Sequence, residues 1–157
     1  MTKRQKFVVD QLKRAHKGEA WHGDSLTQIL KGISATQAAA KPFHGAHSIW
    51  ELVNHIEAWN RLIEKRIRTR TLEKMSARLD WPPLPKAKTA SAWKQSLAKM
   101  HRSIHSLYVY AGKMNDEIYD RRVTGKNYNV EFMLHGVVQH NLYHAGQIAL
   151  LKKALKS

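Results

Sequence analysis

Two histidines four residues apart, His140 and His144, lie in the run Val138-Gln139-His140-Asn141-Leu142-Tyr143-His144-Ala145-Gly146-Gln147-Ile148. On an α-helix that spacing is about 40° of rotation and ~6 Å of rise. Both imidazoles then face one way and can grip one metal ion, as in other helical His-x-x-x-His sites. Gln147 follows one turn on. Two ligands do not make a firm site, so a third is needed. The plain alternative is a pair of core histidines bonded to water or backbone, and periodicity alone leaves both readings open.

The chain has 10 histidines, so chance pairs must be weighed. His101 and His105 also form His-x-x-x-His, but they fall on the shoulder of their helix's apolar stripe, a solvated position. His135 points well away from the His140/His144 direction. His16, His22 and His44 fall at helix ends or in loops. His47 lies eight residues before His55, ~12 Å along a helix, too far to share one ion with it. Glu19-Ala-Trp-His22 has the Glu-x-x-His spacing of di-iron bundles. It occurs once, between Gly18 and Gly23, without the second copy or the partner glutamates.

These side chains need elements to position them. From Thr2 to Lys17 the sequence reads as a first helix, with Phe7, Val8, Leu12 and Ala15 at helical spacing. Ser25-x-x-Gln28 and Ser34-x-x-Gln37 read as capping boxes around a broken helical layer that carries Leu26, Ile29, Leu30 and Ile33. Ser48-x-x-Glu51 is another, so a second long helix should begin near Ile49 and run to about Lys74. Its stripe is Ile49, Leu52, Val53, Ile56, Trp59, Ile63 and Ile67; His55 lies at the stripe's edge. Glu57 with Arg61 and Glu64 with Arg68 are i,i+4 pairs on the wet face. Asp80-Trp-Pro-Pro-Leu-Pro85 is not helical, because proline lacks a donor and restricts its predecessor. A third helix should start near Thr89 to Ser91, with Trp93, Leu97, Met100, Ile104, Leu107 and Ala111 inward. Gly112 to Asn129 reads as loop. Asn129 caps a last helix with Val130, Leu134, Val137, Asn141, His144, Ile148, Leu151 and Leu155 on one side and a wide apolar arc. No strand pattern occurs. Four long amphipathic helices give an all-α bundle in one domain, residues 1–157.

The net charge is +15, from 27 basic and 12 acidic residues. Residues 1–78 carry 15 basic and 7 acidic, residues 79–157 carry 12 and 5, so there is no basic tail. Spread positive charge keeps a protein soluble and gives weak, non-specific attraction to nucleic acid. There is no cysteine, which excludes disulfides, thiolate ligands and a cysteine nucleophile. The apolar run Phe7-Val8-Val9 is too short for a signal peptide and no segment is long enough to span a membrane, so a cytoplasmic location is expected. Thr124-Gly125-Lys126 lacks the rest of a phosphate loop.

His47-Ser-Ile-Trp-Glu-Leu-Val-Asn-His55-Ile-Glu-Ala-Trp59, followed much later by His135-Gly-Val-Val-Gln-His140-Asn-Leu-Tyr-His144-Ala-Gly-Gln-Ile148, resembles the DinB/YfiT-like superfamily of metal-dependent enzymes. Trp21-His22-Gly23 and Thr124-Gly125 add to the likeness, which covers nearly the whole chain. The resemblance implies a four-helix bundle, up-down-down-up, often a homodimer. It implies one divalent ion held by His55, His140 and His144. The connector from about Met75 to Lys88 is long enough to cross the bundle, as that topology requires.

Three neutral imidazoles leave an ion its full double charge and open positions, the pattern of a catalytic site. Zinc and nickel suit imidazole, and iron is a third choice. Some members of the superfamily are transferases or isomerases using an external low-molecular-weight thiol, and others are hydrolases, so a small-molecule substrate is expected. No residue is marked as a general base. The rival readings are a nucleic-acid-associated basic protein and a metal-stabilised bundle without catalysis.

Overall fold

Each long helix begins where a short polar side chain can take an orphan backbone N–H. The computed structural model describes residues 1–155, and among them the order is α1 (Lys3–His16), α2 (Leu26–Leu30), α3 (Ala35–Ala39), α4 (Ile49–Thr69), α5 (Ala77–Asp80), α6 (Ala90–Ala111), α7 (Asp116–Asp120) and α8 (Val130–Ala154). No strand occurs among these residues, only isolated bridges at Ala20–Gly23 and Arg122–Asn129. Ser48 Oγ accepts from Glu51 N at 3.2 Å while Ser48 N donates to Glu51 Oε2 at 2.7 Å, which starts α4 where the capping box requires. Asn129 starts α8 by its side chain alone, Oδ1 accepting from Phe132 N at 2.9 Å.

α1 and α4 each pack against both α6 and α8. Contacts climb in the same direction along α4 and α6: Trp50 Nε1 donates to Ser96 Oγ, Ser106 Oγ donates to Glu64 Oε1, and Arg68 lies over the Tyr110 ring. Along α4 and α8 they run in opposite directions, with His55 beside His144 and Asn60 bonded to Asn141. One core joins all these faces, with Trp50, Ile56, Met100, Ile104 and Leu134 fully buried.

Four details depart from the sequence-based expectation, the first being the short helix α5 inside the expected connector, which takes in Asp80 before the prolines end it. α4 stops at Thr69, five residues short of Lys74, because Arg70 adopts a left-handed conformation (φ 56°) and the chain turns back. Arg66 then donates from Nε and Nη2 to Glu73 O, which holds the reversal. The segment expected as loop from Gly112 contains α7, capped by Asn115 and anchored by buried Tyr119, whose hydroxyl donates to Ala111 O at 2.9 Å. On α1 it is Val9 that turns inward, while Phe7 is 57% exposed. Buried Gln5 fixes that rotation by donating to Met114 O.

Candidate metal centre

α4 and α8 bring three imidazoles together by their Nε2 atoms. His55 Nε2 lies 3.0 Å from His140 Nε2, and His144 Nε2 lies 3.2 Å from the same atom. His55 and His144 are buried and His140 is half-buried. Their ligand atoms all fall within 4.8 Å of one another, and no other group of three potential ligands occurs among the described residues.

The donor chemistry of this cluster fits a cation. His55 Nδ1 lies 2.7 Å from Asp80 O, which can only accept, so Nδ1 carries the proton. His144 Nδ1 lies 2.7 Å from Gln147 Oε1 and is protonated for the same reason. Both Nε2 atoms therefore present lone pairs, directed at the Nε2 of His140. Lone pairs converging at about 3 Å are the arrangement that imidazole ligands adopt around one ion. His140 Nδ1 is buried without a hydrogen-bond partner.

Burial lowers the pKa of all three. His140 is pushed down to about 4 by burial, then by His144 and His55. His55 is lowered by burial against the opposing effect of Asp80, and His144 by burial against its bond to Gln147. All three are neutral near pH 7, the form a metal requires.

An aromatic wall encloses the cluster. Trp81 stacks on His55 with ring centroids 4.0 Å apart, and its other face stacks on His47 at 3.4 Å. Trp59 Nε1 donates to Asp80 Oδ1 at 2.7 Å, and the same carboxylate oxygen stands 3.1 Å from His55 Nδ1. A cavity of about 310 Å³ lies alongside, lined by Phe43, Ala46, His47, Leu52, Gln147 and Leu150 among others.

The remaining histidines are elsewhere. His47 lies beyond Trp81 and 3.6 Å from Glu51. His105 is exposed, while half-buried His101 meets His16, which is itself buried rather than an ordinary helix-end residue. His135 lies against Phe7. Glu19 and His22 are both exposed and form no di-iron site. Sequence reasoning missed Asp80 and Trp81, which come from the connector and carry no helical period. It placed Trp59 on the apolar stripe and left its indole N–H without a partner.

A family model of the DinB superfamily matches residues 20–148. The match spans most of the chain and all three histidines, and the chain belongs to the DinB superfamily. Neither the curated proteins nor the solved structures contain a match.

Proposed function

We propose that this DinB-superfamily chain is a metal-dependent enzyme, a transferase or a hydrolase acting on a small molecule, with one divalent ion held by His55, His140 and His144. The observation that carries the reading is the convergence of three neutral Nε2 atoms, two of them set by protonated Nδ1 groups. Zinc or nickel suits this all-imidazole set best, with iron as a third choice. An ion there supplies a Lewis acid that lowers the pKa of a bound water or thiol and polarises an electrophile. Because the chain has no cysteine, a thiol would come from outside as a low-molecular-weight cosubstrate.

The chain's own residues hold and shield. Asp80 O and Gln147 Oε1 keep the imidazoles in the binding tautomer and orientation. Trp81 and Trp59 exclude water from the His55 side. The adjacent cavity shares Gln147 with the centre, reaches His47 behind Trp81, and has no Lys, Arg, Asp or Glu in its lining, which supports an uncharged group on the substrate. A cytoplasmic location belongs to the same reading; no helix among the described residues is long and apolar enough to cross a membrane.

Elemental analysis of protein purified without a histidine tag tests the site. The expected result is one divalent ion per chain, lost in His55→Ala, His140→Ala and His144→Ala with the helical circular dichroism kept. The double variant His101→Ala, His105→Ala should keep its metal. Full metal in His55→Ala and none in the double variant would overturn the assignment.

A further inference from the structure

A second histidine cluster lies where the end of α1 meets α6. His16 Nε2 and His101 Nδ1 are 2.7 Å apart. His16 is only 4% exposed, and its Nδ1 has no hydrogen-bond partner. The two rings line a cavity of about 380 Å³ together with Lys17, Thr27, Arg102 and His105. Five of these six residues are basic and none is acidic.

The charges decide what such a cavity takes. Lys17 and Arg102 make no ion pair and no side-chain hydrogen bond among the described residues, as is also true of Arg70 and Arg78, whereas Arg4, Arg14, Arg61 and Arg68 all hold carboxylates; what sets Lys17 and Arg102 apart is that both line one cavity. No carboxylate acts on His16 or His101; the charges that reach His16 are His101, Lys17 and His105, and the one that reaches His101 is Lys17. The metal centre differs in having Asp80 beside His55. A cation entering the second cavity would meet two uncompensated positive charges and at most two free ring lone pairs, one from the bonded His16–His101 pair and one from His105. An anion would meet two charged donors. The carbonyl end of α1 opposes an anion, but only as a partial charge. Part of that end is already occupied, since Thr27 Oγ1 donates to His16 O and Lys17 N donates to Lys13 O, each at 2.7 Å.

We infer that this cavity binds a small phosphate-class oxyanion, inorganic phosphate or a phosphate monoester, through Lys17, Arg102 and the outer nitrogen of His101. The imidazole pair contains one internal hydrogen bond and therefore has two tautomeric arrangements. When His16 Nε2–H donates to His101 Nδ1, His101 Nε2–H remains to donate to the anion. His16 then acts as a positioning residue, holding the His101 ring through its Nδ1. Nothing in this site depends on the metal centre.

The test uses the full chain with ¹⁵N-labelled histidine, in a buffer free of oxyanions and at constant ionic strength. Inorganic phosphate is titrated in and the imidazole resonances are followed. The expected result is saturable movement of the His16, His101 and His105 signals, with those of His55, His140 and His144 unchanged. Lys17→Gln and Arg102→Gln alter exposed side chains and should each weaken phosphate binding roughly tenfold with the circular dichroism unchanged. An equal response to sodium chloride would mean screening alone and would overturn the site. So would a response to duplex DNA or to zinc chloride with none to phosphate, the first pointing to a nucleic-acid surface and the second to a cation site. An unchanged phosphate affinity in both glutamine variants would also refute it.

Discussion

The pair Asn60 and Asn141 is expected to set the register that lets His55 meet His140 and His144. The two amides sit between α4 and α8, 0% and 3% exposed. Asn60 Nδ2 donates to Asn141 Oδ1 at 3.0 Å and to Ile56 O at 2.8 Å, and Asn141 Nδ2 donates back to Asn60 Oδ1 at 3.3 Å. Asn141→Leu removes both inter-amide bonds and leaves Asn60 Oδ1 buried and unsatisfied. An orphaned buried polar group costs about 1–3 kcal/mol, whereas replacing both partners with apolar groups of similar shape is close to neutral. Each single leucine variant should therefore lose about 2 kcal/mol, and the double variant about 1 kcal/mol or less, a coupling of about 3 kcal/mol. In urea, with a slope of about 2 kcal/mol per molar, each single variant should unfold about 1 M earlier.

The double variant separates stability from register. A slip of one residue between helices is about 1.5 Å, whereas metal–ligand distances tolerate about 0.2 Å. The double variant should thus recover most of its stability and still bind zinc or nickel at least about tenfold more weakly, the lower end of the usual loss from outer positioning groups. The assay is a urea double-mutant cycle on the metal-free chain, paired with metal titration of the folded proteins. Singles that add to the double within about 0.5 kcal/mol, or wild-type metal affinity in the double variant, would refute the reasoning.

The metal-free chain should lose stability in acid. Burial depresses His16 and His140 to about 4 and lowers His55, His101 and His144 below the ordinary 6.5. Between those values the unfolded chain binds more protons, so unfolding free energy falls as pH drops from about 6.5 toward 4, by up to about 1.4 kcal/mol per pH unit for each fully buried ring; urea melts at pH 7, 6 and 5 that coincide would contradict this. Gln147→Ala removes the partner of His144 Nδ1 and should cost about 10–100-fold in metal affinity. Asp80→Asn should cost less, because His55 keeps the backbone carbonyl; the reverse order in a metal titration would be inconsistent with the geometry. A homodimer through α8 is expected, since Phe132 to Leu151 contains no charged residue in a +15 chain and Phe132, Tyr143 and Leu150 are more than half exposed. Light scattering at micromolar concentration giving the mass of one chain, 18.1 kDa, would exclude it. Spread positive charge should give weak DNA binding that falls steeply with salt, measured by fluorescence anisotropy at two salt concentrations; tight, sequence-selective binding at high salt would favour the nucleic-acid reading.

Local signals were legible in the sequence and long-range ones were not. The starts of α4 and α8 follow from Ser48, Glu51 and Asn129, because an N-cap is a contact three residues long. The end of α4 depends on a left-handed Arg70, a residue with no special preference for that conformation, so nothing in the local sequence marks it. His140 and His144 are paired by helical geometry alone. His55 meets them across 85 residues, and only the whole-chain resemblance identifies it. His16 looks like an ordinary helix-end residue until α6 covers it with His101.

Asp80 shows why the connector contributes more than reach. Its helix, α5, is only four residues long, so its carbonyls have few partners of their own. In a continuing helix Asp80 O would accept from the N–H of Leu84, but Pro82 and Pro83 stop the helix first. The carbonyl is therefore left free by the chain's own chemistry, beside a histidine that needs an acceptor for Nδ1–H. Trp81, at the C-cap, is carried into the gap between His47 and His55 by the same turn. A proline-rich segment that reads as a bare crossover thus provides one backbone acceptor, one carboxylate and one aromatic cover to the same imidazole. Replacing Pro82 and Pro83 by alanine would give α5 the N–H groups to extend, and the carbonyl of Asp80 a competing donor. The expected result is weaker metal binding with unchanged helix packing, read by metal titration alongside urea unfolding; undiminished affinity would mean that His55 is held by the carboxylate and Trp81 rather than by the carbonyl.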